Sequence, residues 1–345
     1  MQREIVKTQP LLNEKGEIGE PGYAKTMVWN YNRENIKACK ALIKEWDYYY
    51  IGNDYYALCL TIADMGYIGA LSATVIDFKK PWEITKSALI LFPMGRLKMP
   101  ASSASGSVSA KSGAVEMTFE NKDDKRRLSG VYPKFGKNGE TLVFDVEITE
   151  APEESMVIAT PFLKQGRFYY NQKINCMRAS GEFRLGENQY VFDKKTSLAT
   201  LDWGRGVWTY DNTWYWGSLQ TVLSDGSTFG FNIGYGLGDT SAASENMLFY
   251  NGKSHKLDQV IFNIPRDVTG NYEYMSPWTF TSNDGRLELN FVPVIDRFAP
   301  VDLKLFAMIP HQVFGKMSGK AVLDDGKEII LNDVLAFAER VHNKW

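Results

Sequence analysis

A chain of 345 residues has room for one large domain or two ordinary ones, and 44% hydrophobic with 23% charged residues is ordinary globular composition. A net charge of −2 gives no electrostatic reason to expect nucleic acid or an anionic membrane surface as a partner. The first residues hold no apolar run of signal-peptide length, and nowhere does a stretch of about 18 apolar residues predict a transmembrane helix.

In chain order, residues 1–30 read as irregular, with turn pairs at Lys15-Gly16 and Pro21-Gly22. A short helix is predicted over 32–45: Asn32 can cap it, and Ile36, Cys39, Leu42 and Ile43 form an apolar stripe. From Trp46 the texture becomes that of strands. Trp46–Ile51 leads through Gly52-Asn-Asp54 into Tyr55–Ile62, and Tyr67–Phe78 follows. Asp64 is a candidate for a cavity wall or for a turn. The small-residue tract Ala101–Ser107 reads as a strand edge or loop. Val115, Met117 and Phe119 alternate with Glu116, Thr118 and Glu120, and Leu142–Ile148 repeats that pattern. Such alternation marks strands with one wet face.

The densest stretch follows. Four of the nine tryptophans lie between Trp203 and Trp216, interleaved with Asp202, Arg205 and Asp211, and Asp239 and Glu245 come soon after. Trp214 and Trp216 are two apart, so a strand puts them on one face and Tyr215 on the other. Asp225-Gly226, Asn251-Gly252, Asn283-Asp284-Gly285 and Asp324-Asp325-Gly326 punctuate the second half as hairpins. The pattern over Val334–Val341 fits a closing helix or a last strand. Many short strands joined by such turns predict an antiparallel all-β protein, sandwich or barrel, with a seam near 184–197 that divides the chain into domains 1–190 and 191–345.

The motifs exclude more than they assign. Gly234-Tyr-Gly-Leu-Gly238 lacks the βαβ context of a dinucleotide fingerprint and reads better as glycines that let a strand bend. No G-x-S-x-G elbow or H-E-x-x-H is present. Three cysteines without C-x-x-C spacing and only three histidines predict no disulfide framework and no metal site, and fit a reduced, cytoplasmic setting. Asp202 beside Trp203 has two readings. Against indole in an apolar cavity it would stay protonated as a general acid; alternatively it bonds turn amides or pairs with Arg205. His255 sits just past a turn. His311 enters a strand and is placed to point into a barrel, and Arg297 can pair with Asp296 or hold an anion.

Several longer segments carry a resemblance. Lys44-Glu-Trp-Asp-Tyr48, Ala63-Asp-Met-Gly-Tyr67, Leu201-Asp-Trp-Gly-Arg-Gly-Val-Trp208, Thr213-Trp-Tyr-Trp-Gly217, Gly234-Tyr-Gly-Leu-Gly-Asp239, Glu245-Asn246 and Gln312-Val-Phe-Gly315 resemble the bacterial family of domain of unknown function 2804, over nearly the whole chain. The family brings no established activity. More distantly, Asp-Trp-Gly, then Trp-Tyr-Trp, then a strand ending in Ser-Asp-Gly is similar to the central signature of the carotenoid hydratase and AttH-like group. That resemblance implies two consecutive lipocalin-like (calycin-type) antiparallel barrels and cofactor-independent hydratase or cyclase chemistry on hydrophobic substrates. It reaches Asp202, Trp203, Trp214 and Trp216 only. The group's signature usually places an acid right after the Asp-containing turn, where Trp203-Gly204-Arg205 stands here.

The expectation is therefore a double barrel with a short N-terminal helix, binding a hydrophobic small molecule and hydrating, cyclising or isomerising it by acid catalysis without a cofactor. Asp202 or Asp239 would be the acid and Arg205 would orient a polar group. Trp203, Trp208, Tyr210, Trp214, Trp216, Glu245, Asn246 and His311 would line the site, the tryptophans stabilising positive charge. A non-catalytic lipid or pigment binder is the rival, and a carbohydrate-active protein the third reading. The sequence sets no oligomeric state.

Overall fold

In the computed structural model, which describes residues 2–302 and 307–345, strand accounts for 60% of the chain and helix for 2%. Two large antiparallel sheets account for nearly all of it. The first has thirteen strands: Met156–Pro161 and Asn188–Phe192 pair with Phe168–Leu185, Gly22–Ala24 pairs with Met156–Pro161, and the other ten run in spatial order from Trp82–Leu91 through Ile68–Asp77, Tyr56–Asp64, Ile43–Gly52, Leu198–Val207 and Phe168–Leu185. It continues through Leu142–Thr149, Lys125–Tyr132 and Val115–Lys122 to Gly106–Ser112. The second, of ten strands, is ordered Lys253–Lys256, Met247–Tyr250, Thr228–Tyr235, Asp211–Val222, Glu328–Lys344, Ala307–Val322, Leu287–Phe298, Trp278–Ser282 and Val260–Asn263, with Val301–Asp302 beside Ala307–Val322. The first curls to a near-barrel and the second to a half-barrel, the double lipocalin-like arrangement.

Alternation explains three cores. Each sheet has an inner face that packs on itself, with Leu201, Trp203 and Val207 in the first core and Leu219, Phe231 and Phe291 in the second. A third core lies between the sheets, where Trp46, Tyr48, Tyr169, Trp208, Trp216 and Phe337 come from the outer faces of both. The central strands Ile43–Gly52 and Leu198–Val207 are thus buried at all ten of their positions. The strand Leu198–Val207 lies beyond residue 190 yet completes the first sheet, paired with Ile43–Gly52 and Phe168–Leu185; the second sheet starts at Asp211.

The expected helix over 32–45 is absent. Asn32 does cap a turn, its side chain accepting from the Glu34 amide, but that turn is a 3-10 turn of three residues, Arg33–Asn35, and a second covers Lys40–Leu42. Ile43, Lys44 and Glu45 are already strand, paired with Val207, Gly206 and Arg205. The apolar stripe reports real burial of Ile36 and Ile43, but ladder partners on both sides of Ile43–Gly52 offer more backbone hydrogen bonds than a local helix would. Cys39, counted in that stripe, is exposed. At the other end, the undecided segment Val334–Val341 is strand, inside Glu328–Lys344. Asn251 and Gly252 have φ of 47° and 79°, the pair of positive values a tight hairpin turn requires.

Gly204 fixes how closely two central side chains approach. A Cβ there would lie 1.9 Å from the Trp46 ring. That indole stacks on Tyr169 and donates to Asp202 at 3.3 Å, so it has little freedom to withdraw. Gly204→Ala should therefore lower stability by about 1–3 kcal/mol, read as a shifted midpoint in urea denaturation; an unchanged midpoint would show that the indole yields freely.

Candidate functional site

Asp202, Gly204 and Gly206 share the outer face of their strand, towards the second sheet. The Asp202 carboxylate accepts from Asn171 Nδ2 at 2.6 Å, from Lys173 Nζ at 3.2 Å and from Trp46 Nε1 at 3.3 Å. Asn171 and Lys173 come from Phe168–Leu185, two apart and therefore on one face with Tyr169. Lys173 Nζ also lies 3.2 Å from Glu245 Oε2, 3.0 Å from Asn171 Oδ1 and 3.3 Å from the Tyr169 hydroxyl, and sits 4.7 Å from the Trp216 ring centroid. Its side chain is only 3% exposed. Burial pulls the lysine down, but Asp202 and Glu245 more than offset it and hold it above its ordinary value. Burial and the same two carboxylates push the Tyr169 hydroxyl well above the usual tyrosine range.

The second sheet supplies the other wall. Trp216 Nε1 donates to Asn232 Oδ1 at 2.6 Å, and Asn232 Nδ2 donates to the Glu245 carbonyl at 2.8 Å. Asn246 Oδ1 accepts from the Gly234 amide, so the Glu245-Asn246 loop is pinned to the strand Thr228–Tyr235. Glu339 lies opposite Trp216 in the strand register. Its carboxyl accepts from Trp214 Nε1 at 3.0 Å and Gln312 Nε2 at 2.9 Å, and Gln312 in turn accepts from Arg297. Burial pushes the Glu339 carboxyl up to about 7, the Trp214 bond and Arg297 opposing it only in part and Asp202 adding to it.

Beside this cluster a crevice of about 200 Å³ opens between the sheets. Thr200, Ser218 and Phe337 line it, each two residues from Asp202, Trp216 and Glu339 respectively. The crevice and the charged cluster are therefore consecutive segments of the same strand faces, one two-residue step (about 7 Å) apart.

Of the residues singled out by sequence, the structure brings Asp202, Trp214, Trp216 and Glu245 together, with Asn246 as support. Trp208 joins the aromatic wall, 5.2 Å from Trp46 and 5.5 Å from Trp214. The others lie apart. Trp203 points into the first core against Tyr31 and Tyr170. Asp239 accepts from the Ser241 amide in a turn, and Tyr210 is half-exposed. His311 stacks between Tyr274 and Phe298 and bonds Asp296 at 2.7 Å. Asp64 holds the amides of Gly66 and Gly95. Lys173 and Glu339 were not singled out. Glu339 left a trace, as one acid in the apolar run Val334–Val341, but it needed a known period to be given a face. Among the described residues no group of three or more His, Cys, Asp and Glu side chains is arranged to hold a metal ion.

Arg205 sits on the opposite face from Asp202, fully buried in the first barrel. It bonds Asp47 Oδ1 at 3.0 Å and the carbonyls of Trp46, Gly204 and Pro100, and stacks 4.0 Å over Trp203. Glu45 lies 3.9 Å away. Burial pushes both Glu45 and Asp47 up, with Arg205 opposing it. Arg205→Met leaves these carboxylates short of a counter-charge, and we expect a loss of about 3–5 kcal/mol at neutral pH. The loss should shrink on acidification, as protonation removes the uncompensated charge; urea denaturation at two pH values measures it.

No curated protein matches the chain at a significant level. Two solved structures share its architecture. An AttH-like protein from Nitrosomonas europaea aligns over 97% of this chain and 99% of its own, with 11% identity and a TM-score of 0.54. Kievitone hydratase from Nectria haematococca aligns over 98% of each chain, with 9% identity and a TM-score of 0.50. At such identities the likeness establishes the fold. The family model described as domain of unknown function (DUF2804) matches residues 2–345, and the chain belongs to that family.

Proposed function

We propose that this protein is a cofactor-independent acid–base catalyst that hydrates or isomerises a hydrophobic small molecule in the crevice between its two sheets. The observation that carries this reading is Glu339. It is a carboxyl that burial holds near pH 7, hydrogen-bonded by an indole, beside a lysine-bridged pair of carboxylates. Such a group is protonated in a substantial fraction of molecules at neutral pH and can act as a general acid.

A substrate seated in the crevice extends the one two-residue step to the cluster, where Glu339 gives its proton to an alkene carbon or a carbonyl oxygen. The positive charge that develops faces the rings of Trp214 and Trp216 and the Asp202 and Glu245 side chains across the interface. In a hydration, water adds its oxygen to the cationic carbon and loses its second proton to Asp202 or Glu245, from which Glu339 is recharged through solvent. Lys173 lies within salt-bridge distance of both carboxylates and balances their charge. Asp202, one of the two expected acids, thus becomes a base in this scheme. The presence of a hydratase among proteins of the same fold is consistent with it.

Glu339→Gln keeps the shape and the Trp214 contact but removes the proton. We expect at least a hundredfold loss in oxygen incorporation from labelled water into a panel of alkene substrates, with substrate binding retained. Wild-type activity should fall as pH rises through about 7, where the acid is lost. Full activity of the variant would sink the proposal, and binding without turnover in the wild type would favour a carrier of hydrophobic molecules.

Stability gives an independent check. The folded-state value of about 7 lies above the ordinary 4.5, so protonated Glu339 favours the folded state. Its contribution is complete below pH 4.5 and disappears as pH rises through 7. At about 1.4 kcal/mol per pKa unit the change is on the order of 3 kcal/mol. Glu339→Gln should flatten the fall in stability over that range in chemical denaturation; an unaltered slope would show that Glu339 titrates normally.

A further inference from the structure

The inner face of the second sheet carries a separate constellation. Period-two alternation turns Tyr215 and Arg340 away from Trp214, Trp216 and Glu339, and the two are direct cross-strand partners. The segment 264–277 brings Arg266, Tyr272 and Tyr274 against them. The guanidiniums of Arg266 and Arg340 lie 3.8 Å and 4.6 Å from the centroid of one ring, Tyr272. The Tyr215 and Tyr272 hydroxyls are 3.2 Å apart. Arg340 donates to the hydroxyls of Tyr215 at 3.2 Å and Tyr274 at 3.4 Å, and Arg266 to the Gly270 carbonyl and the Tyr272 hydroxyl.

Every one of these acceptors is neutral, and among the described residues no carboxylate pairs with either arginine. Two like charges sharing one aromatic ring repel each other, and cation–π attraction at an open site is weak. An anion between them removes the repulsion and uses the forked guanidinium geometry. The local field already acts on the protein's own groups. Burial pushes the Tyr272 hydroxyl up, but the Tyr215 bond and the two arginines more than offset it and hold it below the ordinary tyrosine value.

Tyr215, Arg266 and Tyr272 line a groove of about 490 Å³ together with Phe262, Ile264 and Pro265, and Arg340 reaches that wall through its contacts with Tyr215 and Tyr272. That volume suits a small organic ligand. Phe262 and Ile264 are buried core residues and Pro265 is half-buried, so one end of the groove is apolar while the other is cationic. We infer that this groove binds an amphipathic carboxylate, with its anionic group seated on Arg266, the charge of Arg340 adding to the attraction from behind Tyr215 and Tyr272, and its apolar body lying on Phe262, Ile264 and Pro265. The site is distinct from the inter-sheet crevice and faces the opposite side of the strands Asp211–Val222 and Glu328–Lys344.

The test is a fluorescence titration of the full chain with the fatty acid cis-parinarate and, separately, with its methyl ester. The acid should bind saturably and at least tenfold more tightly than the ester. Arg266→Met and Arg340→Met should each weaken the acid about tenfold and leave the ester unchanged. Thermal melts verify folding; Arg266 is exposed, so its variant decides the matter if Arg340→Met unfolds. Equal affinity for acid and ester, or wild-type affinity in folded Arg266→Met, would overturn the inference.

Discussion

Asp202 and Arg205 lie three residues apart on a strand buried at every position, and their charges are neutralised inside the protein on opposite faces. An ionised group without a partner in such a place would cost several kcal/mol. Each face has therefore acquired its own counter-charges: Lys173 for Asp202, and Asp47 with Glu45 for Arg205. The strand's place in the molecule, with its own barrel on one side and the second sheet on the other, makes both sets necessary. One set locks the first barrel. The other stands at the boundary between the two sheets, next to a crevice.

The tryptophans give that boundary its character. An indole buries a large apolar area but must place one N–H. Trp46 gives its N–H to Asp202, Trp214 to Glu339 and Trp216 to Asn232. The rings exclude water from the carboxyls while the N–H groups fix their orientation. Exclusion of water raises Glu339, whereas Asp202 is in direct contact with a lysine. Two acids on one surface, one near neutrality and one ion-paired, form the kind of division of labour that acid–base chemistry needs.

Period two also separates this surface from the arginine–tyrosine groove. Trp214, Trp216 and Glu339 leave one side of the second sheet, while Tyr215 and Arg340 leave the other. Neighbouring residues thus serve two environments that share only a backbone, and a change in one side chain need not disturb the chemistry on the other face.

The strand content, the antiparallel pairing and the hairpins at Asp-Gly and Asn-Gly pairs were legible in the sequence, because alternation and turn chemistry are local. So was the shared face of Trp214 and Trp216, which follows from strand geometry alone. The 32–45 segment misled because an apolar stripe records burial, and burial of Ile36 and Ile43 is reached here through two short turns and a strand. Asp202 could be recognised as a candidate, but Trp203 and Arg205 beside it face the first core, a division invisible without knowing that both faces of the strand are covered. Lys173 and Glu339 carried no motif. They meet Asp202 and Trp214 across 29 and 125 residues of sequence, and that meeting is set by how two curled sheets pack, which no local pattern encodes. The sequence by itself determined most of the strands, their turns and the alternation of faces along them; the tertiary structure decided which faces meet, because the Lys173 ion pairs and the raised Glu339 carboxyl arise only where the two sheets close on each other.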